Sequence, residues 1–475
     1  MQDRFAYAGL ALLFLLSRLI AYSSGLSFDL GPLAWAWQII DPVLLKNDLY
    51  RSLWFNVAQP PLFNLLLGLT IQLGGSGYAI LFALVYLSLG FLVVLFFYLL
   101  LKVYIGRHAF WPSALWAISP AMIAIEQVLF YDLPSLFLLL GTFVLIYKFE
   151  KQPRTILFLG ACAGLSSLAL IRSLFHPALI VCLMILLFFS TTYSRNGLIT
   201  LLFWSILLII IPLKNGILYS SWGTSSWFGM NLAKIALNGY SSDDLRSFAK
   251  THQLNEVISQ PLFEDSAVYA GYFQSTIKPS GHEVSDRFYK RNRVKNLHHV
   301  AYVGLSKEYL NASTQIIKDK PQNYMKSVAI AFGKYHYPVD ELSGYSERNE
   351  RLMSPYQNGY HALVLFQPKA WMELLFGPSD QNPKWAKVAL VPLGCTFMFF
   401  VACLSYLLTV FKNKNQISIL ISITATITLY LILAGNLLEL GENMRFRLLA
   451  IPGIAIMIAW LFRNKAKPKQ QYEIG

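Results

Sequence analysis

The chain alternates long apolar blocks with short polar connections. A bilayer core of about 30 Å takes roughly 20 apolar residues per helix. On that measure ten blocks predict spanning helices, at about 5–24, 78–101, 110–126, 133–149, 155–171, 174–190, 198–213, 386–411, 417–435 and 447–462. The stretch Pro61–Gly74 (PLFNLLLGLTIQLG) is apolar but only about 14 residues long, which predicts an interfacial or re-entrant helix instead of a span.

The polar connections sort by charge. Lys102 and Arg107, then Lys148, Lys151 and Arg154, then Arg195, then Lys412 and Lys414 fall on alternate connections, and Arg463, Lys465, Lys467 and Lys469 follow the last block. The positive-inside rule assigns all of these, with both termini, to the cytoplasm. Counting 61–74 as a span would turn every later basic loop outward. The other connections (25–77, 126–133, 171–174, 214–385 and 436–446) then face the exterior. The expected architecture is an all-α polytopic membrane protein in three parts. Residues 1–213 form an N-terminal transmembrane module with a first exterior loop at 25–77. Residues 214–385 form an exterior domain, mostly helical or mixed. Residues 386–475 supply the last helices and a basic tail.

Composition agrees. Of 475 residues, 55% are hydrophobic, 15% aromatic and only 13% charged. Soluble domains carry about 25% charged residues, so lipid is the main solvent. The net charge of +14 suggests no nucleic-acid partner, because the basic residues sit in short loops and the tail, where they set topology and meet membrane lipids. Cys162, Cys182, Cys395 and Cys403 all lie in apolar blocks, with neither metal spacing nor a disulfide framework. The first block lacks a small-x-small cleavage site, so it reads as a helix that stays.

This sorting gathers acids and arginines on one face, where charge beside lipid is costly. Asp29 follows the first block. It either accepts a proton from an incoming hydroxyl or caps the short helix starting near Gly31-Pro32. Asp41-Pro42 reads as a turn or cap. Gln59-Pro60-Pro61 fixes an extended chain before an apolar helix. Glu126 and Asp132 bracket QVLFY and could approach a substrate, a basic partner or a divalent metal; Asp132 could equally cap the next helix. Arg172 sits in IRSLFHP beside His176. In NLLELGENMRFRLLAIP, Glu439, Glu442 and Arg445 recur every three residues and would share a helix face, whereas Arg445 and Arg447 point to different sides. A guanidinium offers phosphate two parallel donors and a permanent charge.

The order of motifs (an early Asp, QPPLFNLLLG, YDLPSLFLLLGTFVLIYKF, GLSSLALIRSLFHP and GENMRFRLLAIP) resembles the GT-C glycosyltransferases, in the bacterial branch related to protein O-mannosyltransferases and lipid A aminoarabinose transferases (family 39-like). The likeness covers about 1–210 and 386–462 and leaves 214–385 without a motif. It implies that Asp29 is the catalytic base and Asp132 a second acid lining the cleft, with Glu126 its neighbour. It implies that Arg445, and Arg172 with it, hold the phosphate of a polyprenyl-phosphate-linked sugar; the residue pattern itself adds Gln59, Glu442 and Arg447 as expected substrate contacts. The acceptor would be a lipid, a glycan or a protein, and the membrane the bacterial inner membrane. Two departures stand out: Gln59 replaces the family's frequent His, and Asp29 is followed by Leu30 where an Asp-Glu pair is common. Metal coordination by such a pair is therefore not supported, and Asp132 with Glu126 is the remaining metal option. A transporter or flippase is the alternative, but it calls for midplane charges and inverted repeats, and no repeat is visible. A receptor or scaffold is a third reading.

Overall fold

The computed structural model describes residues 2–190, 195–273, 279–339, 346–377, 382–413 and 416–463. Lys414 and the tail lysines Lys465, Lys467 and Lys469 lie outside them. The fold is helical, 77% helix with no strands among the described residues. Among the described residues, extended backbone pairs only in two isolated bridges, Asp29 with Val128 and Tyr289 with Lys295.

Among the described residues seven helical stretches are long and apolar enough to cross a membrane: Asp3–Ser23, Pro61–Ala117, Asp132–Lys151, Arg195–Tyr219, Leu390–Lys412, Ile419–Leu437 and Asn443–Leu461. The chain is a multi-pass membrane protein. Three of the ten expected spans are not among these seven. Block 110–126 breaks into Phe110–Ala117 and Pro120–Gln127, because Ser119 caps the Met122 amide and Pro120 starts a new helix. Thr155–Ile171 and Pro177–Phe189 are apolar but shorter; at 1.5 Å per residue they reach about 25 and 20 Å. Pro61–Gly74 forms the helix the pattern predicts, with Pro61 in its first turn. It buries Phe63, Leu67 and Ile71 in the main core before Gly75–Gly77 leads into the long Tyr78–Ile105 helix.

Lipid and protein compete for the same apolar side chains. Leu12, Leu19, Phe203, Ile217, Leu404 and Phe411 stand exposed on the outer helices, while Asn443–Leu461 is mostly enclosed. With lipid as apolar as leucine, helices associate by close packing at small residues. A Cβ on Gly453 would fall 1.8 Å from Thr428 Oγ1, and one on Gly164 would fall 2.1 Å from Thr142 Oγ1.

The 214–385 segment has its own core around Trp227, Met230, Tyr269, Tyr302 and Tyr309. Its boundary shifts, because the preceding helix runs on to Tyr219. Buried Lys214 donates to the carbonyls of Trp54 and Asn56 at 2.8 and 2.7 Å. More bonds join this segment to the first loop: Lys290 Nζ to Ala36 O at 2.9 Å, Ser225 Oγ to Ala58 O at 2.6 Å, and His298 Nδ1 with Asn56 Oδ1 at 2.9 Å. Loops 25–77 and 214–385 thus share one end of the bundle. At the other end Lys102 pairs with Asp3 at 2.8 Å, and Glu150 accepts the Leu420 amide at 3.0 Å.

Candidate active site

Three apolar helices end, or begin, at one buried carboxylate. Asp132 opens the Asp132–Lys151 helix, where the helix dipole favours negative charge. Its side chain does not cap that helix. Oδ1 accepts Arg172 Nη1 at 2.6 Å, and Oδ2 accepts Arg445 Nη2 at 2.8 Å and Nε at 3.2 Å. Arg172 is the first residue after Thr155–Ile171, in extended backbone, and Arg445 lies in the first turn of Asn443–Leu461. Both guanidiniums rest on rings, Arg172 4.7 Å from the centre of Tyr131 and Arg445 4.4 Å from that of Phe130, which adds cation–π attraction in a desolvated setting. Arg445 Nη1 also bonds Glu442. The helix starts only at Asn443, so Glu439 and Glu442 do not share a helical face with Arg445. The Glu442 contact instead comes from the turn before it.

Above this triad lies a cavity of about 1220 Å³. Asp132, Arg172, Glu442, Arg445 and Glu439 form its charged floor. Leu174, Leu179, Tyr430 and Ala434 give it an apolar flank. Gln59, Trp35, Trp37 and nearly the whole 220–229 stretch, SSWGTSSWFG, enclose it from the loop end. Glu439 pairs with Lys234 at 3.0 Å. Burial pushes the Glu439 carboxyl up from its ordinary range, against the pull of Lys234. Lys307 also lines the space and is exposed.

Of the other residues singled out in the sequence, His176 lines the cavity, while Asp29, Glu126, Arg447 and Asp41 stand outside the lining. Asp29 is half-buried one layer behind it. Its amide donates to Gln127 O at 2.6 Å, its carbonyl accepts the Leu129 amide at 3.2 Å, and Oδ1 accepts the Gly31 amide at 2.7 Å. Its neighbours Val128 and Trp35 do line the cavity. Asp29 has no cationic partner among the described residues, in contrast to Asp132, Glu126, Glu439 and Glu442. Glu126 turns away to Arg18, with Nε to Oε2 at 2.7 Å and Nη2 to Oε1 at 2.5 Å. Arg447 points to the opposite side of its helix from Arg445, as the spacing predicts, and donates to Tyr337 O at 2.5 Å. His176 caps its own helix through the Ala178 amide. Asp41 caps Val43, as read from Asp-Pro.

A metal at Asp132 and Glu126 does not fit. Each carboxylate is engaged by arginine, in different clusters, and no group of three ligating side chains occurs among the described residues. Sequence reasoning missed Arg18 and Lys234. Arg18 had a signal, a charge inside the first apolar block. Lys234 had none, because its partner lies 205 residues away. Comparison with family models, with curated proteins and with solved structures finds no match for this chain.

Proposed function

We propose that this chain is a membrane glycosyltransferase that moves a sugar from a polyprenyl-phosphate donor to a hydroxyl acceptor, inverting the anomeric carbon. The observation that carries the reading is the cavity floor, where Arg172 and Arg445 stand beside an apolar flank formed by membrane helices. A lipid tail suits the flank and a phosphate suits the guanidinium pair. The acceptor oxygen attacks the anomeric carbon, the bond from that carbon to the phosphate oxygen breaks, and the phosphate leaves with its charge met by Arg445. The acceptor's proton goes to Asp29. A carboxylate held by arginine is a weak proton acceptor, which favours Asp29 over Asp132 and Glu442. Asp29 does not line the cavity, so the transfer requires Trp35 or Val128, which do, to move aside. The reading carries with it a GT-C type fold, a bacterial plasma membrane, and an exterior position for the loop end of the bundle.

The test uses purified protein and a radiolabelled polyprenyl-phosphate sugar. Asp29→Asn should abolish transfer while donor binding persists. Arg445→Ala should lower turnover about 100-fold, the typical effect of losing one preorganised donor at a developing charge. Transfer by Asp29→Asn at the parent rate would refute the base assignment. A protein that bound the donor and carried it across vesicles uncleaved would instead be a transporter.

A further inference from the structure

A second charged feature lies on the loop end, outside the cavity floor. Residues 288–296 form a tight hairpin, with the Lys290 amide donating to Val294 O at 2.8 Å and the Asn296 amide to Phe288 O at 2.9 Å. Its tip, Arg291-Asn292-Arg293, is exposed. Arg293 has φ +65°, a left-handed backbone that glycine adopts at least cost. The tip is seated on the first loop. Asn292 Nδ2 donates to Ala34 O at 2.9 Å, and the Arg291 amide to Asp41 Oδ2 at 2.5 Å. Alongside, His282 bonds Asp48 at 3.0 Å and stacks on Phe55 at 5.2 Å. Asp48 precedes the Leu49–Phe55 helix, which exposes Tyr50, Arg51 and Trp54.

Five exposed cations thus share one rim: Lys46, Arg51, Arg287, Arg291 and Arg293. Three carboxylates oppose them. Glu283 is shared between Arg287 and Arg291 at 3.1 Å each. Asp48 lies 3.9 Å from Arg51. Asp286 accepts the amides of Ser280, Gly281 and His282. Asp41 beneath the tip faces buried Lys290, so six cations stand against four carboxylates and leave +2, and Lys46 and Arg293 have no ion pair among the described residues. The rim also adjoins an exposed apolar surface. Gln72 Nε2 donates to the Lys46 carbonyl at 3.1 Å, and the next residue on that apolar helix, Leu73, is 82% exposed. Exposed Tyr50, Trp54, Phe288 and Tyr289 supply the amphipathic rings found where headgroups begin.

We propose that this rim binds the phosphates of anionic phospholipids in the leaflet around the loop end of the bundle. Cations near an anionic leaflet each gain about 1 kcal/mol, and arginine grips phosphate through paired donors. The inference is independent of the sugar-transfer reading.

The test reconstitutes the full chain in phosphatidylcholine vesicles carrying spin-labelled phosphatidylglycerol or spin-labelled phosphatidylcholine, and reads the motionally restricted fraction of each label. The parent should prefer phosphatidylglycerol. Lys46→Gln/Arg291→Gln/Arg293→Gln should lower that preference by about threefold or more, and raising the salt should do the same. Arg293→Gly removes one cation while relaxing the backbone, so a lowered preference in that variant cannot come from misfolding. Lys148→Gln/Lys151→Gln/Arg154→Gln, at the opposite end, should leave the rim's share intact. A rim variant and an Arg293→Gly variant that both keep the parent preference would overturn the proposal. So would loss of the preference to millimolar glycerol phosphate, which would make the rim a site for free phosphate.

Discussion

Asp132→Asn is the sharpest perturbation of the buried triad. Asp132, Arg172 and Arg445 have side chains 4%, 6% and 10% exposed, so the two guanidiniums are desolvated and share one counter-charge. The amide keeps the shape of the carboxylate but cancels its charge. Glu442, bonded to Arg445 and 36% exposed, offsets one of the two arginines. Arg172 is left without a carboxylate. Stranding a buried charge by removing its partner costs about 3–5 kcal/mol, and Asp132→Asn should destabilise the protein by that amount. Adding Arg172→Gln removes the stranded charge, so the double variant should recover at least about 1 kcal/mol relative to Asp132→Asn alone, a coupling typical of neighbours in one network. Equilibrium unfolding in mixed micelles titrated with SDS measures all four corners of the cycle. An Asp132→Asn protein within about 0.5 kcal/mol of the parent, or a double variant whose losses simply add, would refute the triad as a coupled unit.

Two further outcomes follow from packing and titration. A Cβ on Gly229 would fall 1.8 Å from the backbone oxygen of Ser306, so Gly229→Ala must push two helices apart and should cost about 1–3 kcal/mol. Gly333→Ala meets nothing within 4 Å and should gain about 0.5–1 kcal/mol from helix propensity; the same unfolding assay compares them. Burial holds His298 down to about 3 and His336 down to about 4, so both are neutral in the fold while the unfolded chain takes up protons below about pH 6.5. Stability should therefore fall as pH drops from about 6.5 towards 4, by about 1.4 kcal/mol per pH unit for each histidine. A His336→Gln variant should show a shallower slope in thermal unfolding across that range; an unchanged slope would remove His336 from the account.

Much of the bundle was legible in the sequence because apolar length is a strong signal in lipid. The Pro61–Gly74 helix, the Thr155–Ile171 helix and the start of Tyr78–Ile105 fall where the pattern put them. Block 110–126 misled because its apolar count hides Ser119-Pro120, a cap followed by a residue without an amide hydrogen. Loop parity put Asp132, Arg172 and Arg445 on one side, since all three border connections there, but it did not announce the ion pairs that join them. Parity says nothing about which way a side chain turns, and so Glu126 was read as Asp132's neighbour when it is Arg18's partner. The fold of 214–385 was illegible for a different reason. Its core is assembled from aromatic residues far apart in sequence, Trp227 with Phe263 and Tyr269 with Tyr302, and no local period announces them.

The pairing at the cavity floor has a consequence for selectivity. Arg172, Arg445 and Lys234 are each already matched to an acid; among the described residues only Lys307 lines the cavity without an ion pair. Membrane phospholipids outnumber any rare lipid and carry the same phosphate group, yet they would have to compete with Asp132 or Glu442 for every arginine they touch. A ligand gains a foothold only if other contacts compensate for that exchange of partners. A site of this kind resists fouling by bulk lipid.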